Sequence, residues 1–247
     1  MTTFMKRLAG ASMLLTFAAS GVWASTADGI KALEAQDYKT AKQEFTDAAA
    51  KDDTEAMYYL GLMMQRGLGD RAQPLAATVW WERASYLGDV RSQLALARAY
   101  RLGVGVRLNP RQAFVWDMQA AKAGSAEGMR NVGDYYREGN GQEEDHVEAA
   151  KWYLRAARLG DVSSYVRLAK LFSEGDGVRK DAAAAYVLYN AAAHPPKGVS
   201  PDRNAAAGAR NVKKFMKADD LARAEKLTLA EIFESLKAID KEPVRTK

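Results

Sequence analysis

Hydrophobic and small residues recur along this chain with a period of 36 residues. The pair Leu60-Gly61, a bulky residue beside a small one, has counterparts that begin at residues 96, 132 and 168. A methionine or an aromatic residue follows each bulky residue after four positions, which places both side chains on one face of a helix. A fixed period of this length predicts an array of helical units, each of which buries its apolar face against the next.

Glycines separated by one residue end the first helix of each predicted unit. They are Gly67 and Gly69, Gly103 and Gly105, Gly139 and Gly141, and Gly175 and Gly177. Glycine readily takes the positive φ values that end a helix and turn the chain. A second helix is expected after Asn109-Pro110, after Asp145 and after Asp181, with Gln73-Pro74 as the weakest start. Asp145 and Glu148 together resemble a capping box.

The second helix of each unit alternates small and large residues on one face. Trp80, Trp116 and Trp152 recur at the same register, and we interpret them as core residues rather than as a ligand cage. Gly88-Asp89, with counterparts at 124–125 and 160–161, is expected to close the unit and cap the next helix.

These strings resemble the Sel-1-like repeat, a relative of the tetratricopeptide repeat with a longer glycine-containing loop. The similarity lies in residues 59–61 with 67–69, 100–105, 132–136 and 151–157, and it covers four copies within 53–196. It implies an all-α fold, a right-handed α/α superhelical solenoid of helix-turn-helix repeats with a 36-residue period. It also implies a role as an adaptor, as a regulator of a membrane-bound partner or as an assembly factor in envelopes and secretory compartments.

The pattern weakens at both ends of the array. Leu188 replaces the recurring tryptophan in the fourth copy, and Pro195-Pro196 replaces the closing Gly-Asp. The predicted organisation is a signal peptide at 1–24, an amino-terminal capping helical pair at 25–52, repeats at 53–88, 89–124, 125–160 and 161–196, carboxy-terminal capping helices at 197–240, and a disordered tail at 241–247.

The amino terminus has the features of an export signal. Lys6 and Arg7 precede an apolar run at 8–19, and Val22-Trp23-Ala24 supplies a cleavage site, so we predict a cut after Ala24. The run is short for a membrane span, which needs about 20 apolar residues. We therefore expect a periplasmic protein with no transmembrane helix after cleavage; secretion is the alternative.

Composition narrows the class of partner. Without residues 1–24, 34 basic residues face 31 acidic ones, a net charge of +3 that gives no reason to expect nucleic acid. The chain contains no cysteine, which excludes disulfides and thiolate metal sites. A core of about 200 residues can be stable in a periplasm without such cross-links.

Catalytic signatures are missing from the sequence. His146 and His194 belong to no ligand pair at helical spacing, and no serine-nucleophile or phosphate-loop string occurs. The acidic run at 143–145 is interpreted as a solvated helix cap. We therefore predict a binding protein without catalytic residues, cofactor or metal, and keep as alternatives a cell-wall or glycan-active enzyme and a secreted factor acting on a host or competitor cell.

Surface positions of the first helices supply the candidate binding site. By analogy with tetratricopeptide arrays these helices line the concave face, whose middle is rich in arginine. The candidate partner-binding residues are Tyr58, Arg91, Arg98, Arg101, Arg130, Asp134, Arg137 and Lys170. Arginine binds carboxylates and phosphates in a bidentate manner, so we expect a monomer that grips an acidic protein segment or an anionic glycan. The competing interpretation is that these charges pair with one another across neighbouring helices.

Overall fold

The structure is a computed structural model that describes residues 25–237, and within this range it contains helices and no strands. The helices are α1 (Thr26–Glu34), α2 (Tyr38–Ala49), α3 (Thr54–Arg66), α4 (Pro74–Tyr86), α5 (Val90–Leu102), α6 (Pro110–Lys122), α7 (Ala126–Glu138), α8 (His146–Arg158), α9 (Val162–Glu174), α10 (Ala182–Ala193), α11 (Ala205–Phe215), α12 (Ala218–Ala224) and α13 (Leu229–Ser235). The predicted signal peptide and the tail from residue 238 lie outside the described residues. No helix of residues 25–237 is long and apolar enough to cross a membrane.

Four helix pairs follow one another from α3 to α10, and each helix packs on its neighbours in the chain. The prediction of an all-α solenoid is therefore confirmed. Each first helix begins at a side-chain cap from Asp53, Asp89, Ser125 or Asp161, of which the last three were predicted from the sequence. Among the second helices, α4 has no side-chain cap at Gln73, while the other three have one.

The second glycine of each loop fixes the distance between copies. A Cβ at Gly141 would lie 2.6 Å from the carbonyl carbon of Pro110, the first residue of α6 in the preceding copy. Gly69 makes the equivalent close approach to Tyr38, the first residue of α2. Because α2 takes the place of a second helix here, the α1–α2 pair extends the solenoid in the amino-terminal direction.

Two local predictions need correction. Trp116 and Trp152 are buried as expected, but in the first copy the buried residue is Trp81, and Trp80 is only partly buried. The Trp81 indole packs directly over Gly61, where any Cβ would overlap it.

The capping box at α8 is also incomplete. Asp145 accepts hydrogen bonds from the backbone N–H groups of Val147 and Glu148, as predicted. The Glu148 side chain, however, is buried and accepts a 2.6 Å hydrogen bond from Lys151 Nζ instead of returning to the cap. Burial of both groups explains this pairing, since a buried carboxylate needs a charged partner.

The carboxy-terminal helices cover one end of the array. Helix α11 packs against α9 and α10. Ile232 and Leu236, in and just after α13, join the buried cluster that contains Tyr153 and Leu188. The backbone carbonyl of Phe233 accepts a hydrogen bond from Arg158 at 3.3 Å, so the segment turns back towards the third copy.

Candidate functional site

Two depressions lie along the row of first helices. Depression 1 is lined by apolar groups of α3, α4 and α5, namely Tyr58, Leu62, Trp81, Leu94 and Ala95, and by the polar residues Gln65, Arg66, Arg91, Arg98 and Glu127. Depression 2 is lined by Arg101, Arg130, Asn131, Asp134, Tyr135, Glu138, Asn140, Ser163 and Arg167. Six of the eight predicted binding residues therefore line one depression or the other.

Depression 1 combines an apolar wall with cations. Arg91 is held by Glu55 at 2.7 Å, and its guanidinium lies 5.1 Å from the centre of the Tyr58 ring. Arg66 and Arg98, in contrast, form no ion pair with any other described residue from 25 to 237. A guanidinium without a carboxylate partner retains all five of its N–H donors for a ligand.

Depression 2 contains three arginines, and each is paired with an acidic residue. Arg130 Nη1 lies 2.9 Å from Asp161, and Arg167 Nε lies 2.6 Å from Asp134. Arg101 Nη1 lies 3.1 Å from Asp117 Oδ2. The competing interpretation from the sequence, that charges pair between helices, therefore describes this depression.

Asp117 lies beneath depression 2 with its side chain 0% exposed. It accepts hydrogen bonds from Asn131 at 2.8 Å and from the Tyr135 hydroxyl at 3.1 Å, in addition to the Arg101 contact. Burial raises the pKa of the Asp117 carboxyl to about 6, against the opposing effects of the Asn131 hydrogen bond and the Arg101 charge. Burial likewise raises the pKa of Tyr135, so its hydroxyl stays a hydrogen-bond donor.

The other two predicted residues line neither depression. Arg137 pairs with Glu138 at 2.8 Å, and Lys170 lies 3.9 Å from Glu174 within its own helix.

Asp134 holds its position in depression 2 by accepting a 2.7 Å hydrogen bond from the Tyr153 hydroxyl as well as those from Arg167.

Asp117 lies one position after the recurring tryptophan register, so the pattern of Trp80, Trp116 and Trp152 did not predict it. At the missed register the four copies carry Trp81, Asp117, Tyr153 and Tyr189. An acid at a position that otherwise holds an aromatic residue was a detectable signal. A Cβ at Gly133 would lie 2.5 Å from the Tyr153 ring, and the residue equivalent to Gly133 is Ala97 in the copy of Asp117 and Ala169 in the copy of Tyr189.

Both histidines contact polar groups of neighbouring residues. His146 contacts Asp176 through Nδ1 and lies 2.9 Å from Glu144 through Nε2, so it joins the loops of the third and fourth copies. The hydrogen bond to Asp176 raises the pKa of His146. His194 Nδ1 lies 3.2 Å from the Asn190 carbonyl oxygen. Residues 25–237 contain no group of three or more His, Cys, Asp or Glu side chains placed to hold a metal ion.

Comparison with known structures gives the same architecture. The chain resembles a Sel1 repeat protein from Oxalobacter formigenes, with a TM-score of 0.62, 24% identity, and coverage of 89% of this chain and 94% of that one. It also resembles a protective antigen of uropathogenic Escherichia coli that displays an SLR fold, with a TM-score of 0.50 and 20% identity. That match covers 91% of this chain and 58% of the antigen. A comparison with curated protein sequences gave no match.

The family model for the Sel1 repeat matches residues 54–89, 90–125, 126–161 and 162–194. These four segments coincide with the helix pairs that form the two depressions. Sel1 repeat proteins are protein-interaction scaffolds and typically lack enzymatic activity. With more than half of its length matched by the model of the repeat, this chain belongs to the Sel1 repeat family.

Proposed function

We propose that this protein is an exported, periplasmic scaffold that holds a protein partner of the cell envelope on the concave face of its solenoid. The contact would centre on depression 1, where an acidic segment with an apolar side chain meets Arg66, Arg98 and the wall formed by Tyr58 and Leu94. The protein would act as a monomer, and the partner would be the outer segment of a membrane sensor or a component of an envelope-assembly complex.

This proposal rests on Arg66 and Arg98, which form no ion pair with another residue of the described range 25–237. The acidic residue in the lining of depression 1, Glu127, lies 3.7 Å from Arg130, which lines depression 2. A partner carboxylate would supply the missing negative charge, and charge-assisted hydrogen bonds to arginine are stronger than neutral ones. Leu62 and Leu94 would bury an adjacent apolar side chain of the same segment.

Charge reversal tests the role of depression 1. The double variant Arg66→Glu/Arg98→Glu should reduce capture of the partner at least tenfold, measured with a photo-crosslinking residue at position 58 in living cells. Lys170→Glu is the matched control, because residue 170 stands two copies after Arg98 and lines neither depression. Equal capture by the wild type and both variants would contradict the proposal.

The location and the alternative functions need separate measurements. Sequencing the amino terminus of the mature protein should show Ser25 first, and fractionation should place the protein in the periplasm rather than in the medium. Recovery from the medium would favour a factor that acts on a host or competitor cell. Turnover of peptidoglycan fragments by the purified protein would favour a cell-wall enzyme. Capture of an anionic glycan in place of a protein would show that the ligand is a carbohydrate.

A further inference from the structure

The two depressions occupy equivalent places one copy apart. Adding 36 to the numbers of Gln65, Leu94, Ala95, Arg98 and Glu127 in depression 1 gives the numbers of five residues that line depression 2: Arg101, Arg130, Asn131, Asp134 and Ser163. The same shift converts Trp81, in the lining of depression 1, into Asp117 beneath depression 2. One backbone arrangement is therefore used twice, with different side chains.

The exchanged side chains give the two depressions opposite chemical character. Depression 1 has an apolar wall and two unpaired cations, as described above. Depression 2 has lost the leucine and the tryptophan, and its three arginines are each neutralised by a carboxylate. It therefore presents fixed donors and acceptors without an unpaired cation, which disfavours a second carboxylate and suits a neutral hydrogen-bonding group.

A primary amide matches these groups best. Arg101 uses only Nη1 in its described hydrogen bonds, so its remaining N–H groups are available to a carbonyl oxygen. Asp134, Asn140 and Ser163 offer oxygen acceptors for an amide NH2 group. The groups are already held by neighbours, since Asp134 is fixed by Arg167 and Tyr153, and such preorganisation limits the entropy lost on binding.

The spacing of the depressions sets the spacing of the two ligand groups. Side chains of successive first helices meet, as in the ion pairs of Arg91 with Glu55 and of Arg167 with Asp134. Neighbouring helices lie about 8–10 Å apart, and an extended segment advances about 3.3 Å per residue. Side chains about three residues apart in one extended segment would therefore reach depressions that are one copy apart.

We infer that one extended segment of the protein partner occupies both depressions, with a carboxylate and an apolar neighbour in depression 1 and an asparagine or glutamine side chain about three residues away in depression 2. This inference rests on the proposed function, because it names the class of segment that the concave face recognises.

Synthetic peptides test the two sites separately. The probe is a fluorescent ten-residue peptide with Leu-Asp and, three residues beyond the aspartate, Asn in a Gly/Ser background; a second probe has the reverse chain direction. In at least one direction, replacing Asn with Ala or with Asp should weaken binding by about tenfold, as measured by fluorescence anisotropy. Moving Asn to a spacing of one or five residues should cause a similar loss, and equal or tighter binding at those spacings would overturn the spacing argument.

Protein variants distinguish failure of this inference from failure of the proposed function. Asp134→Asn leaves Arg167 without its charge partner, so the variant should prefer Asp over Asn at the second peptide position. Asn140→Ala changes an exposed loop residue and should remove most of the preference for Asn without altering the fold.

If no spacing distinguishes Asn from Ala, but the peptide aspartate and Arg66→Glu/Arg98→Glu still change binding, the second site is disproved and depression 1 stands. If neither the aspartate nor the arginine reversal matters, the proposed function fails, and this inference fails with it.

Discussion

Replacing Asp117 with asparagine should change how the stability of the fold depends on pH. The carboxyl is fully buried and is surrounded by Arg101 from α5, by Asn131 and Tyr135 from α7, and at longer range by the Glu127 charge, also from α7. Asparagine has nearly the same shape, so the substitution removes the titrating group with little change in packing. Arg101, at 35% exposure, can reach water after the loss of its partner.

The magnitude follows from the pKa of Asp117, which burial raises from 3.8 to about 6. Between these two values the folded protein holds a proton that the unfolded chain has released, so unfolding becomes easier as the pH rises. A difference of roughly two pKa units corresponds to about 3 kcal/mol. The free energy of unfolding of the wild type, relative to Asp117→Asn, should therefore fall by about 3 kcal/mol between pH 3 and pH 7.

Urea unfolding followed by far-UV circular dichroism at several pH values would measure this difference. Asn109→Ala is the control, because Asn109 caps the same helix through Gln112 N and does not titrate. It should cost about 1 kcal/mol at every pH. A constant difference between wild type and Asp117→Asn would refute the reasoning, and a difference of opposite sign would show that the charge of Arg101 outweighs burial.

Three further predictions concern the repeat itself. Gly133→Ala should destabilise the fold by about 1–3 kcal/mol in urea unfolding, because its Cβ would press on the Tyr153 ring; full stability would contradict the tight fit. Asp89→Ala should cost about 1 kcal/mol, since its side chain caps α5 at 2.7 Å, while Gln73→Ala, which has no cap bond to lose, should cost much less. Deletion of residues 125–160 should leave a shorter, still helical protein by circular dichroism, and complete loss of the helical signal would argue against modular copies.

Much of the fold could be predicted because it depends on local rules that the sequence states four times. The helix starts at Asp53, Asp89, Ser125 and Asp161 and the glycine turns follow from capping and from positive φ, both of which are properties of short segments. The choice between Trp80 and Trp81 was harder. Adjacent helical positions differ by about 100° in direction, and in the first copy it is the Trp81 indole that packs over Gly61 of the adjoining helix.

The character of the site was less predictable because it depends on contacts between copies. Arg130 meets Asp161, and Arg167 meets Asp134, over separations of 31 and 33 residues that no helical periodicity specifies. No sequence pattern distinguishes Arg98, which has no ion pair within residues 25–237, from Arg101, which is neutralised by Asp117. Six of the candidate residues line the two depressions. Packing between the copies decides which of their charges are neutralised by a neighbour and which remain available to a ligand.

The repeat allows the residue beneath depression 2 to be compared with its equivalents in the other copies of the same chain. The residues equivalent to Asp117 in the first and third copies, Trp81 and Tyr153, are buried aromatic side chains packed over glycines, and such burial stabilises a core by about 2–3 kcal/mol. A buried carboxylate there gives up that contribution and adds a desolvation cost that Arg101, Asn131 and Tyr135 offset only in part, since its pKa remains raised. Because local rules tend to be broken where a binding site requires it, this exchange favours recognition rather than folding as the role of Asp117.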